Sequence, residues 1–191
     1  MLLRRLMFRR LLTVAASAVV VACDDPLALP PPFAENVTDT LVVSALEGTS
    51  IGDPSAYDVA RRRLARTELS EPFDFAFDID DQGQPTVFPA GALGLAENSG
   101  IQFSKRNFDD IDEAPTEDFL TDDPLLVGVD SVFVVRSRPV IEDCPFFIGA
   151  LPRYGKFRVM EIDTSQRRLI LQALVNVNCG YRGLEPGLPT K

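Results

Sequence analysis

The sequence predicts a mainly β protein: a single antiparallel, sandwich-like domain behind an export signal and a proline-rich tether. Three observations predict it. Residues 73–80, Phe-Asp-Phe-Ala-Phe-Asp-Ile-Asp, alternate as a pleated strand does. Residues 156–163 and 168–177 are two long β-type runs with a turn, Asp163-Thr164-Ser165-Gln166, between them. Shorter apolar runs bounded by turn residues fill much of the remaining chain.

The elements follow in order. Residues 40–46 are β-prone and closed by Gly48. Residues 56–69 fit either a helix face or an exposed strand, with Arg61-Arg62-Arg63 a solvated basic run in both cases. In residues 73–80, Phe73, Phe75, Phe77 and Ile79 point one way, and Asp74, Ala76, Asp78 and Asp80 the other. The turn 81–84 lets Thr86-Val87-Phe88 pair back. Residues 89–100 are small and glycine-rich, hence loop, and Ile101-Gln102-Phe103 is a short strand. Residues 107–123 are acidic and turn-rich. Residues 131–136 form a buried strand, and the tail from Gly180 is irregular.

The chain opens with Arg4, Arg5, Arg9 and Arg10 and no acid, then an apolar run from Leu11 to Ala22. Twelve helical residues reach about 18 Å against a hydrocarbon core of about 30 Å, too short to span and of signal-peptide length. The run ends Val20-Val21-Ala22-Cys23, which resembles the lipobox of bacterial lipoproteins. Residues 1–22 are therefore expected to be removed and Cys23 to carry lipid, placing the domain in the cell envelope, on the periplasmic face or the cell surface. Residues 23–39, with Pro26 and Pro30-Pro31-Pro32, are expected to be a flexible tether, and the globular domain to occupy 40–191.

The remaining chain, Cys23 to Lys191, sets fifteen basic side chains against 28 acidic ones, a net charge of −13 once four arginines leave with the signal. Such a surface repels phosphate backbones, so no nucleic-acid partner is expected. The expected partners are the membrane, through the lipid, and a small-molecule or protein ligand. Cys144 and Cys179 remain, and an oxidising compartment favours a disulfide between them. The ends of the strands they follow come together if the final hairpin pairs with the 131–136 strand.

The chain has no histidine. Ser-His-Asp and Cys-His catalysis, histidine zinc sites and bis-histidine haem ligation are all excluded. Residues 78–83 resemble the start of a calcium loop, but position twelve falls on Pro89. The acids from Asp109 to Asp123 read as a solvated loop. No enzyme activity, metal site or cofactor is expected.

Three segments carry a family resemblance. Phe73-Asp74-Phe75-Ala76-Phe77, then Asn107-Phe108-Asp109-Asp110-Ile111-Asp112-Glu113-Ala114-Pro115 with Phe119-Leu120-Thr121-Asp122, then Val132-Phe133-Val134-Val135-Arg136 and Tyr154-Gly155-Lys156-Phe157-Arg158-Val159 resemble motifs of the HmuY-like bacterial lipoproteins. The likeness spans about residues 73–175. It implies a β-rich domain whose founding members bind haem between two histidines, or in some relatives two methionines. This chain departs there: Met160 is the only methionine after Cys23 and is expected in the core, and Tyr57, Tyr154 and Tyr181 are not distinguished as iron ligands. The haem ligands of the family are not carried over.

Overall fold

A computed structural model describes residues 29–69, 71–95, 98–142, 144 and 149–190. Cys23 and the export signal lie outside the described residues. Among the described residues there are ten strands: β1 (Thr38–Ser44), β2 (Ala56–Asp58), β3 (Arg63–Ala65), β4 (Phe75–Ile79), β5 (Pro85–Pro89), β6 (Gly100–Ser104), β7 (Leu125–Leu126), β8 (Val132–Arg136), β9 (Tyr154–Asp163) and β10 (Arg168–Asn176). They form two five-stranded sheets, ordered β1-β10-β9-β8-β6 and β3-β2-β4-β5-β7. Every strand pair is antiparallel. The mainly β, sandwich-like fold expected from the sequence is the fold observed.

The inner faces of the two sheets make one core. Val43, Leu171, Val175, Phe157, Val159, Phe133 and Ile101 from the first sheet meet Tyr57, Phe75, Phe77 and Val87 from the second. Four aromatic rings knit the layers. Phe75 meets Phe157 edge-on at 5.1 Å and Phe133 at 5.9 Å, while Phe133 stacks on Phe157 at 5.3 Å. Such pairs add about 0.5–1.5 kcal/mol each beyond the area they bury. Gly155 makes room for this knot: a Cβ there would come within 3.0 Å of both Phe157 and Val175.

The long β9–β10 hairpin is the spine, and β1 pairs along its open side from Thr38↔Leu174 to Ser44↔Arg168. A bulge interrupts the hairpin, because Val159 pairs Leu171 while Glu161 pairs Ile170. Met160 is the extra residue and is 45 % exposed. This corrects the core position expected for it: one inserted residue breaks the two-residue alternation and turns the side chain outward.

Several other expectations change. The ambiguous segment 56–69 is a short hairpin, β2 and β3, whose loop tip carries Arg62 at φ 50°, followed by a 3-10 turn, Thr67–Leu69. Phe73 does not share a face with Phe75. The chain bends at Asp74, so Phe73 packs with Ala56, Ala65, Ala76 and Ala90. The second face of β4 is covered as well, with Ala76 fully buried, and Asp74 just before the strand is buried too.

The tether begins to dock earlier than composition suggests. Tyr181 donates its hydroxyl to the Pro30 carbonyl at 3.0 Å, and the Phe33 and Ala34 amides donate to Asn178 Oδ1. Asn36 is buried, exchanges backbone bonds with Gly187 and donates through Nδ2 to the Gly183 and Glu185 carbonyls. Residues 30–37 are thus fastened to the C-terminal tail. Prolines favour extended chain, and extended chain can lie along a surface as readily as span a gap. The tail is irregular, as expected, yet Leu184 within it is fully buried.

Candidate functional site

The described surface offers a cleft of about 380 Å³ where the acidic loop lies across the outer face of β6 and β8. Gln102, Phe103 and Ser104 come from β6, and Val134 from β8. Arg106, Ile111, Glu113, Ala114 and Pro115 come from the loop, and Arg182 from the tail. The volume falls within the roughly 300–1,000 Å³ typical of small-molecule sites.

The loop is held there by its own apolar residues. Phe108, Ile111 and Ala114 are buried against Val132, Val134, Tyr154, Leu174 and Leu184. From beneath, Lys156 Nζ donates to the Phe108 carbonyl at 2.8 Å and the Ile111 carbonyl at 3.0 Å, and sits 4.6 Å from the centre of the Phe108 ring. Burial lowers the Lys156 pKa, an effect opposed by Asp109, Asp112 and Glu185. From the side, Arg182 donates through Nε and Nη2 to the Ala114 carbonyl and pairs with Glu113 at 3.0 Å. The acidic stretch is therefore a clamped wall with its carboxylates outward: Asp109, Asp110 and Asp112 are exposed while Phe108 and Ile111 are not.

The cleft presents an apolar floor of Ile111, Ala114, Pro115 and Val134 and a polar rim of Gln102, Ser104, Arg106 and the Glu113–Arg182 pair. Such a surface can take an amphipathic molecule with a small polar or anionic end. Sequence reading did not find it. The usable signal was Lys156, a lysine between Tyr154-Gly155 and Phe157, at the apolar start of β9, where a buried amine needs a polar partner on the facing segment.

A second cluster of charge lies at the end of the sandwich where β9 begins. Arg138 reaches Asp74 at 3.0 Å with Nη1 and Asp58 at 3.0 Å with Nη2, and all three side chains are buried. Asp74 also accepts from the amides of Val59, Ala60 and Arg138. Asp58 accepts from Arg61 and Arg63. Burial pushes the Asp74 carboxyl up to about 6, against the opposing pull of Arg138 and the amides. Arg153 binds the Ala60 and Glu142 carbonyls beside this group. These contacts join the β2–β3 loop, the start of β4 and the segment after β8.

Cys144 and Cys179 form a disulfide with Cα atoms 5.4 Å apart, at the same end of the sandwich. Cys23 lies outside the described residues. The calcium-like segment is a capped turn: Asp80 Oδ1 accepts from the Gln82 and Gln84 amides, and Asp78 pairs with Arg167 at 3.1 Å. Among the described residues no three acids or cysteines gather closely enough to hold a metal ion. Tyr57 is buried in the core, where desolvation raises its pKa, and Tyr181 is tied to Pro30.

No family model matches the chain, and no curated protein matches it. Among the described residues no helix is long and apolar enough to cross a membrane.

Proposed function

We propose that this chain is a lipid-anchored cell-envelope protein whose β-sandwich binds a ligand or serves as a scaffold, without catalysis. The anchor is Cys23, at the boundary between the apolar run and the acidic, proline-rich segment. The observation that carries the binding reading is the clamped cleft between β6, β8 and the 106–115 loop. Its volume, apolar floor and polar rim suit a small amphipathic molecule. The buried charged groups Asp58, Asp74, Arg138 and Lys156 fasten chain segments to one another, which supports a structural use for them.

A second reading is a haem or haem-like ligand, in keeping with a distant HmuY-like relationship. What supports it is that two of the motif segments meet: Phe108, Ile111 and Ala114 of the loop motif pack on Val132, Val134 and Tyr154 of the strand motifs. Ligation of the founding type needs side chains this chain lacks, so such a ligand would sit in the cleft by shape and polarity.

One pair of titrations separates the readings. Mature protein is titrated with haemin and with anilinonaphthalene sulfonate, an amphipathic fluorescent anion, and then as the Phe103→Ser and Arg106→Glu variants. The expected outcome is saturable, stoichiometric sulfonate binding weakened by both substitutions, with no sharp low-spin haem spectrum. A stoichiometric low-spin signal abolished by one substitution would establish the haem reading. Sulfonate binding indifferent to both substitutions would remove the cleft.

A further inference from the structure

We propose that the end of the sandwich formed by Phe33 and the Arg61–Arg63 loop faces an anionic bilayer, so that the domain is held in one orientation on its membrane. This deepens the reading of Cys23 as a lipid anchor and rests on it.

The first argument is reach. Five residues lie between Cys23 and Leu29, and six extended steps of at most about 3.5 Å reach roughly 20 Å. From Leu29 onward the chain belongs to the body: a Cβ on Gly180 would meet Leu29 Cδ2 at 2.6 Å, and Pro30, Phe33 and Ala34 are hydrogen-bonded to Tyr181 and Asn178. The sandwich is longer than this leash. The nine residues of β10 extend about 30 Å from the turn before Arg168 to Asn176. A body tied by one end on a short chain keeps that end toward the anchor.

The second argument is the chemistry of that end. Phe33 is 59 % exposed and lines a groove of about 460 Å³ together with Ala60, Arg61, Glu142, Arg153 and Val177. Leu188 is 55 % exposed on the tail segment that pairs with Asn36. Arg62 stands exposed at the tip of the β2–β3 loop, and the Arg63 side chain is 45 % exposed beside it. Arg61 is engaged by Asp58 and Glu142, which steadies the loop. The opposite end carries the two hairpin turns, linked by Arg167 to Asp78 and Ile79. Its exposed charges include Asp80 and Asp81. A chain that is acidic as a whole thus places its arginine loop and an exposed aromatic at the anchored end, where Glu35 and Glu142 are also exposed. Arginines beside an interfacial aromatic are the complement of an anionic headgroup layer.

The chain contains no tryptophan, so a single one reports its own surroundings. Lipidated mature protein carrying Phe33→Trp, Leu188→Trp or, at the far end, Gln82→Trp is reconstituted in phosphatidylcholine vesicles with and without phosphatidylglycerol. Emission shift and quenching by headgroup-nitroxide lipids are recorded, and mass spectrometry of the same sample reads the modification on Cys23. The expected result is a blue shift and strong quenching at 33 and 188, none at 82. The effect should grow with phosphatidylglycerol and lose that growth when Arg62→Glu and Arg63→Glu are added. Equal quenching at both ends on lipidated protein overturns the orientation and leaves the anchor standing. So does indifference to phosphatidylglycerol. An unmodified Cys23 overturns the anchor and the orientation together. Leu188→Trp keeps the test decisive if Phe33→Trp does not fold.

Discussion

At the scale of single residues, the position that departs furthest from its sequence pattern is Asp74. In a strand that alternates phenylalanine with polar residues, an aspartate ordinarily faces water. Here a bend delivers it into the interior, where Arg138 and three backbone amides meet its carboxylate. Burial still dominates and raises its pKa from 3.8 to about 6. The folded chain then binds this proton more tightly than the unfolded chain, so the contribution to stability is complete below the unfolded value and is lost as pH rises through about 6. Asp74→Asn should remove this part of the pH dependence. It should also cost about 1–3 kcal/mol at every pH, because one carboxylate oxygen becomes an NH2 group and either the Val59 and Ala60 amides or Arg138 lose their acceptor. Urea denaturation of both proteins at a series of pH values reads the result; parallel curves between about pH 4 and 6 would refute it.

At the scale of elements, the disulfide joins the segment after β8 to the turn after β10. Gly180, at φ 76°, follows Cys179 and reverses the chain against Leu29 and Leu151, a conformation side-chain-bearing residues resist. The bridge closes a loop with a sequence separation of 35 residues. For a loop of that order, chain entropy assigns about 3–4 kcal/mol. Replacing both cysteines by serine should therefore lower Tm by roughly 6–16 °C while leaving the circular dichroism spectrum that of the same β fold. Two thiols that alkylate without reductant in the exported protein, or an unchanged Tm in the double variant, would contradict the bridge. The acidic loop teaches a related lesson. Its carboxylates drew attention in the sequence, but Phe108, Ile111 and Ala114 between them decide where the loop lies.

At the scale of the whole molecule, the fold is two sheets held face to face by a few large rings. Phe157 touches Tyr57, Phe75 and Phe133, and so bridges both layers. Truncation to alanine leaves a cavity that neighbours in three other strands cannot fill. Phe157→Ala should cost about 3–5 kcal/mol, measured as a lower urea midpoint with an unchanged slope. A loss under 1 kcal/mol would show that the sheets do not depend on this contact. The same architecture separates the molecule's uses. The interior is spent on joining the sheets, the outer face of β6 and β8 carries the cleft, and the end near the N-terminal segment carries the exposed arginines.

The strand pattern was legible because it is local. The alternation of Phe75, Phe77 and Ile79, the turn at Asp163-Thr164-Ser165-Gln166 and the β-branched run of β8 each reflect a two-residue period that any sheet imposes, and the pairing of Cys144 with Cys179 followed from strands that such patterns place side by side. The absence of histidine excluded whole classes of chemistry before any fold was known. Other features depended on residues far apart in sequence. Met160 left the core because the pairing of β9 with β10 skips it at a bulge. Asp74 became an interior ion because Arg138, 64 positions later, lies against it. Pro30, Phe33 and Ala34 became part of the body because Tyr181 and Asn178 bind their backbone. The cleft arose because Lys156 and Arg182 clamp a loop that composition marks only as acidic. Periodicity is written in neighbouring residues, whereas a buried charge or a cleft is a relation between segments that only the folded chain brings into contact.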